Sequence, residues 1–391
     1  MSFKQMGKKL LYASNVSNIA HLEHILMNSP CSIYVMRPWI PKKWLIGVVS
    51  KYSAKLSSIL RIRDSDRTIN ITHTTMNLGF VQFYAPLRNL FLDTPMTLLE
   101  TNLVNYFLRI KVKKHVVNKD IVITTRDIFP SFKSRNQKVI LAEMRELHRD
   151  NMWNRQIPIG GFPFDPTKKN LEISTYRDHF KKIRMNASGL ITYSEISKDS
   201  FIANGYPEEK IFVFPLKYPK AFTHNQKVIR SNKTLFVGRD DLNKGLDLAV
   251  FMSKEAGTKL VVVGHYSRSV TDWLRKFGHV EFKGSVNRYH LQNIMFECHA
   301  VIAPSIESYG LVVIEALESG CLVVSSKLNG AAATFIRNPN LFCSENLEID
   351  DLSKKLKSAM QSNFNHEYVV EKRDYSNQFA TFLDDIQKKN V

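Results

Sequence analysis

Cysteine is scarce in this chain. Four occur in 391 residues, at Cys31, Cys298, Cys321 and Cys343, and none stands in a Cys-x-x-Cys or Cys-x-x-His spacing. That argues against a disulfide framework and against a structural zinc site. Cys298 and Cys321 lie in or beside strongly apolar segments and read as buried thiols in a reducing compartment. Long apolar runs are missing too. None approaches the roughly 18 residues needed to cross a bilayer, and the basic opening MSFKQMGKKLLYAS has too brief an apolar stretch for a signal peptide. The expectation is a cytoplasmic protein, or one peripheral on the inner face of the cytoplasmic membrane. The Asn-x-Ser/Thr sequons at Asn15, Asn70 and Asn186 are then coincidental. There is no internal repeat and no low-complexity tract.

Acidic residues are the third shortage. Asp and Glu number 36 against 55 Lys and Arg, a formal charge of +19, and such a field attracts nucleotides, nucleic acid or an anionic bilayer face. The excess is clustered. Between residues 36 and 63 stand Arg37, Lys42, Lys43, Lys51, Lys55, Arg61 and Arg63, with no acid and with Trp39, Trp44, Leu45 and Ile46 interleaved. This mixture suits a helix in the headgroup region of an anionic membrane, with Lys42, Lys43, Trp44, Lys51 and Lys55 as the surface-binding candidates. It equally suits an amphipathic helix packed on a sheet.

What is plentiful is alternation of strand and helix patterns. Hydrophobic residues at 44% and charged ones at 23% describe an ordinary globular chain, long enough for two cores. Short apolar runs at KLLYAS (9–14), CSIYVM (31–36), DIVITT (120–125), KVILAEM (138–144), GLITYS (189–194) and KIFVFP (210–215) read as strands separated by helical or polar segments. A stretch without periodicity follows, and then a second series: TLFVGR, KLVVVG, VEFKG, HAVIAPS and CLVVSS, again with helices between. Strand alternating with helix implies parallel sheets covered on both faces. The expected organisation is an N-terminal Rossmann-like domain at 1–218, a linker at 219–233, a second Rossmann-like domain at 234–372 and a C-terminal helix at 373–391 that returns to the first domain.

The chemistry concentrates in the second series. Arg239 and Lys244 lie just past a strand ending at Gly238. In an open parallel sheet the ligand crevice lies at the carboxyl ends of the strands, and two cations there suit a diphosphate and the charge that builds on it as it leaves. The bland alternative is a solvated loop. In PSIESYGLVVIEALESGCLVVSS a helix starting near Tyr309 would offer free N–H groups and the positive end of its dipole to phosphate. Gly310 would allow close backbone approach. Glu307, at the helix mouth, is placed for the hydroxyls of a transferred sugar, and Glu315, among Ile314, Ala316 and Leu317, for a ribose diol. The bland alternatives are a helix cap for Glu307 and an exposed helix residue for Glu315.

The order VGR…KGLDLA, LVVVG, VEFKGSV, AVIAPSIESYGLVVIEAL and CLVVSS resembles the C-terminal domain of the family 4 retaining glycosyltransferases, which have the GT-B fold: an α/β architecture of two Rossmann-like domains with parallel sheets facing a central cleft. Glu307-x7-Glu315 is similar to that family's Glu-x7-Glu motif. The likeness is strong over 234–326 and weaker back through GLITYSEISKDSFIANGYPEEKIFVFP (189–215). The resemblance implies a nucleotide-diphosphate sugar donor contacted by Arg239, Lys244, Glu307, Ser308, Tyr309, Gly310, Leu311 and Glu315. It implies retention at the anomeric carbon and no essential metal or other cofactor. It makes His148, which follows the strand in VILAEMRELH, a residue facing the transferred sugar, and gives a catalytic set of His148, Glu307, Arg239 and Lys244. A surface histidine is the plain alternative for His148. The chain departs from the family where Ser14–Asn18 replaces a Gly-rich loop after the first strand, and where His265 follows Gly264.

The Asp64-Ser65-Asp66 triplet has the form of a metal–nucleotide motif, but Arg63 and Arg67 flank it and salt bridging accounts for it. The expected activity is sugar transfer to a glycan acceptor, lipid-linked, in cell-surface polysaccharide, capsule or lipopolysaccharide assembly. A glycosyltransferase acting on a small molecule or protein is the alternative within enzymes. A non-catalytic nucleotide- or nucleic-acid-binding protein is the alternative of another class.

Overall fold

The computed structural model describes residues 9–13, 32–36, 121–124, 138–142, 155, 157–164, 185–214, 231–365 and 376–388. Among them stand two six-stranded sheets in which every pairing is parallel. The first contains β1 (Lys9–Ala13), β2 (Ser32–Met36), β3 (Ile121–Thr124), β4 (Lys138–Ala142), β5 (Gly189–Thr192) and β6 (Ile211–Val213), in the order β2-β1-β3-β4-β5-β6. The second contains β7 (Ser231–Val237), β8 (Lys259–Val263), β9 (Val280–Gly284), β10 (Cys298–Ala303), β11 (Leu322–Ser326) and β12 (Leu341–Ser344), in the order β12-β11-β10-β7-β8-β9.

The second sheet runs outward in both directions from its first strand. β8 and β9 build to one side of β7, and β10, β11 and β12 to the other. This is the doubly wound 3-2-1-4-5-6 order, and the direction in which successive strands are added reverses between β7 and β10. The crevice outside the carboxyl ends of those two strands is where open α/β sheets bind ligands.

The strands read as unbroken apolar runs because both faces are covered. Along β8, Leu260 and Val262 face one buried cluster while Val261 and Val263 face another, the two-residue period of a strand. Among the described residues the helices in chain order are α1 (Glu195–Ile202), α2 (Leu246–Glu255), α3 (Arg268–Leu274), α4 (Arg288–Glu297), α5 (Leu311–Glu318), α6 (Gly330–Thr334), α7 (Ile349–Gln361) and α8 (Ser376–Lys388). In α7 the buried Leu352, Leu356 and Ala359 recur at helical spacing. In α8 the buried Phe379, Phe382, Leu383 and Ile386 do the same.

Helix α8 belongs structurally with the first sheet. The Phe212 ring of β6 lies 5.4 Å from Phe379 and 5.1 Å from Phe382. A side-chain carbon at Gly189 of β5 would come 2.5 Å from Ile386 Cδ1, so the absence of one admits the helix. A single apolar cluster continues from Ile123, Ile140 and Ile191 through Tyr193 and Tyr309 to Val301 and Val323 of the second sheet.

Two differences from expectation concern boundaries. β7 opens at Ser231, three residues inside the expected linker at 219–233. Lys233 pairs in register with Lys259, and backbone pairing recruits polar residues wherever the strand end reaches solvent. Helix α5 begins at Leu311, not near Tyr309, because Gly310 has φ +94°, outside the helical region. Two elements were not anticipated, β12 and α7. Cys298 and Cys321 are buried and outside any disulfide, and Cys343 is half-buried. The basic residues from Arg37 to Arg63 and the Asp64–Asp66 triplet lie outside the described residues.

A pH test follows from β9. Its Glu281 binds Lys283 and, at 3.0 Å, Lys259. Hydrogen bonds from the two ammonium groups, Lys283 first, hold its carboxyl at about 2, below the ordinary 4.5. The folded state therefore binds fewer protons than the unfolded one between those values. The stabilisation is complete above 4.5 and is lost as pH falls toward 2. Melting temperature across the acid range should fall less steeply in Glu281→Gln than in the wild-type chain.

Candidate active site

The site begins where β7 and β10 end. After Val237 the chain passes Gly238 and Arg239, and a single turn at Leu242–Lys244 leads into α2. The turn is capped by Asp241, whose carboxylate accepts the Asn243 N–H at 3.0 Å. After Ala303 the chain runs through Pro304–Gly310 into α5. The two loops are tied by backbone, since Ile306 N–H donates to Asn243 O at 2.8 Å.

This tie brings Lys244 and Glu307 together. Lys244 Nζ forms an ion pair with Glu307 Oε2. The other oxygen, Oε1, accepts from Ser305 Oγ at 2.7 Å and from Asn329 Nδ2 at 3.3 Å. Both carboxylate oxygens are thus engaged, and the side chain has one orientation. Lys244 and Glu307 remain 23% and 24% exposed, so the pair is open to solutes at the carboxyl ends of β7 and β10.

Asn329 is the hub of the arrangement and was missed in the sequence. It is wholly buried. Its Nδ2 donates to Ser305 Oγ at 2.8 Å as well as to Glu307, and its Oδ1 accepts the Ala331 and Ala332 N–H groups, both at 3.1 Å. The side chain caps α6 with one end and orients the acidic loop with the other. Glu307 and Asn329 also form an isolated parallel bridge. The legible signal was the helix-start pattern of Asn followed by Gly-Ala-Ala-Ala.

Gly310 is required twice. Its positive φ is one that side chains rarely adopt, and a side-chain carbon there would come 2.2 Å from Asn329 Nδ2. With Gly310 as its N-cap, α5 starts without a side-chain cap. Glu307 is therefore not the cap of this helix; its carboxylate is spent on Lys244, Ser305 and Asn329.

Glu315 sits on the second turn of α5 and is half-buried. Burial pushes its carboxyl above the ordinary range, and the nearby Arg288 guanidinium opposes that. Arg239 is exposed at the exit of β7, and Leu311 is exposed at the start of α5. Ser308, Tyr309 and Gly310 are buried. The structure thus joins Lys244 to Glu307 directly, places Arg239 on the β7 exit, and carries Glu315 on the helix that leaves the acidic loop. His148 lies outside the described residues.

The first domain reaches this loop from the opposite side. Ser194, the cap of α1, donates its hydroxyl to Ser308 O. The rings of Tyr193 and Tyr309 lie 5.9 Å apart. The carboxyl end of β5 therefore abuts the acidic loop. Among the described residues, no helix is long and apolar enough to cross a membrane.

Comparison with known proteins agrees with this architecture. Anabaena Alr3699/HepE, solved in complex with UDP and glucose, superposes with a TM-score of 0.54 at 15% identity, over 97% of this chain and 94% of that one. Staphylococcus aureus TarM, solved with Fondaparinux, alpha-GlcNAc-glycerol and UDP, gives 0.57 at 13% identity over 97% and 96%. WaaG, a glycosyltransferase involved in lipopolysaccharide biosynthesis, gives 0.51 at 12% identity over 97% and 94%. At these identities the likeness establishes the fold, which is GT-B. In sequence, the phosphatidylinositol N-acetylglucosaminyltransferase gpi3 subunit of Schizosaccharomyces pombe is 26% identical over 140 residues, 33% of this chain and 30% of that protein's length. Residues 219–378 match the family model Glycosyl transferases group 1. The chain thus carries a domain of the glycosyl transferases group 1 type on a GT-B fold.

Proposed function

We propose that this chain is a retaining glycosyltransferase that moves a sugar from a nucleotide-diphosphate sugar to a glycan acceptor, lipid-linked, in cell-surface polysaccharide, capsule or lipopolysaccharide assembly. One observation carries the reading: the Lys244–Glu307 pair stands at the β7–β10 switch point of a doubly wound sheet. There a cation meets the leaving diphosphate and a carboxylate meets sugar hydroxyls. The matched family model supports sugar transfer. The lipid-linked acceptor is argued from the basic 36–63 segment and from the lipid named in the yeast relative's description.

In this reading Lys244 and Arg239 stabilise charge on the departing diphosphate, which takes the place of a metal ion. Glu307 orients the transferred sugar, Glu315 holds the ribose, and His148 faces the anomeric carbon. The acceptor attacks from the face the diphosphate leaves, and the leaving phosphate receives the acceptor proton. The bond to the diphosphate oxygen breaks as the new glycosidic bond forms on the same face, so configuration is retained. Contact of the two domains over the donor limits water attack.

Thermal denaturation with a panel of nucleotide sugars tests the proposal. A ligand bound by the native state alone adds about 2.7 kcal/mol at a concentration of about 100 Kd. One donor class should raise the melting temperature and, with acceptor, release nucleoside diphosphate in the presence of EDTA. If no nucleotide sugar raises the melting temperature, the proposal fails.

A further inference from the structure

Residues 155 and 157–164 lie between β4 and β5 in the chain, two neighbouring strands of the first sheet, yet they pack on the second domain. Phe162 is buried in the cluster containing Leu246, Val250 and Val262, with its ring edge-on to Trp273 at 5.1 Å. The Trp273 indole N–H donates to Gly160 O at 2.9 Å. Gly160 has φ +60°, and a side-chain carbon there would fall 2.0 Å from Phe251 Cζ. The segment is a strap thrown from the acceptor-side half across α2 and α3.

Its polar end reaches the donor loop. Asp247, in the first turn of α2, is fully buried. Arg155 grips it with both guanidinium arms, at 2.5 and 2.7 Å, and the Ile159 N–H adds a third bond at 3.0 Å. Arg155 also holds the turn bearing Lys244. Its Nη1 donates to Leu242 O at 3.1 Å and its backbone N–H to Asn243 Oδ1 at 2.9 Å. Asn243 O in turn accepts from Ile306 of the acidic loop. A bidentate fork of this geometry fixes direction as well as distance.

We infer that Arg155 is a positioning residue for the donor site: from the acceptor-side half of the chain it fixes the Leu242–Lys244 turn and so sets where the Lys244 ammonium stands. The consequence for nucleotide binding rests on the function proposed above; the ordering of the turn does not. Arg155→Lys keeps the charge and loses the fork, and Asp247→Asn removes the carboxylate partner while retaining an acceptor for Ile159. Phe162→Leu loosens the apolar end of the strap, leaves the hydrogen bonds of Arg155 to Leu242, Asn243 and Asp247 in place, and serves as the comparison.

The experiment pairs hydrogen exchange of residues 241–246 with titration by UDP, GDP and ADP. Arg155→Lys, or Asp247→Asn if the first does not fold, should speed exchange in the turn and weaken the nucleotide bound by the wild type about tenfold or more, with KM raised more than kcat is lowered. Phe162→Leu should lower the melting temperature with little change in either reading. Unchanged exchange in the turn, or equal effects of the Arg155 and Phe162 variants, overturns the inference. If the wild type binds none of the three nucleotides, the proposed function fails, and exchange alone decides the role of Arg155.

Discussion

Lys244→Met should lower kcat/KM for the nucleotide sugar by about 10²–10³-fold, the usual loss when one preorganised group facing developing charge is removed. Methionine preserves much of the lysine stem, so packing against the β7 exit survives. Stability should change little, because the pair with Glu307 is partly exposed and screening leaves such pairs about 0–1 kcal/mol. Glu307 would keep Ser305 and Asn329 as donors and hold its place. Steady-state release of nucleoside diphosphate, with a melting curve alongside, separates the cases. A fall in kcat marks an interaction made in the transition state, whereas a rise in KM alone would reduce Lys244 to uniform binding.

Asn329 should be the more revealing position. Asn329→Ala removes the cap of α6, about 1 kcal/mol, and strands buried polar groups at about 1–3 kcal/mol more. Stability and turnover should fall together. Asn329→Asp separates them. The carboxylate still accepts the Ala331 and Ala332 N–H groups, so the helix stays capped. But the Nδ2 donor that lies 3.3 Å from Glu307 Oε1 becomes an oxygen, and two carboxylates confront each other. One of them must then titrate well above its ordinary range. A carboxyl raised in the folded state binds more protons there than in the unfolded chain, so the stability it permits is present at low pH and lost as pH rises through the raised value. Melting temperature against pH should therefore slope downward toward neutrality in Asn329→Asp and not in Asn329→Ala, with turnover at neutral pH depressed in both.

Much of the fold was legible because its strands are continuous apolar runs with turn residues between them. KLVVV and CHAVIA read as buried strands, Gly238 within VGR marked a sheet exit, and Gly310 before LVVIEAL marked a helix start. β12 was not anticipated from LFCS, nor was the 349–361 helix beyond it, which repeats leucine at four-residue spacing. The ion pair of the site was half legible. Lys244 and Glu307 stood out one at a time, each after a strand, but adjacency of the strands that carry them is fixed by sheet order, which a single sequence does not state. Asn329 and Arg155 lay further out of reach. Their importance comes from partners 22 to 92 positions away, and no local pattern announces a side chain whose work is done across a loop or a domain.

The chain's threading has a practical corollary for dissecting the molecule. The polypeptide passes from the first sheet to the second between β6 and β7, reaches the second half earlier through Phe162 and Arg155, and returns when α8 packs on β5 and β6. A cut after β6 would leave one fragment with Phe212 stripped of Phe379 and Phe382, and the other with Trp273 stripped of Phe162 and Asp247 of its guanidinium. Neither piece would be a domain in the sense that matters for expression. Chimeras that swap halves between relatives need to carry residues 155–164 with the C-terminal partner's surface and 376–388 with the N-terminal one.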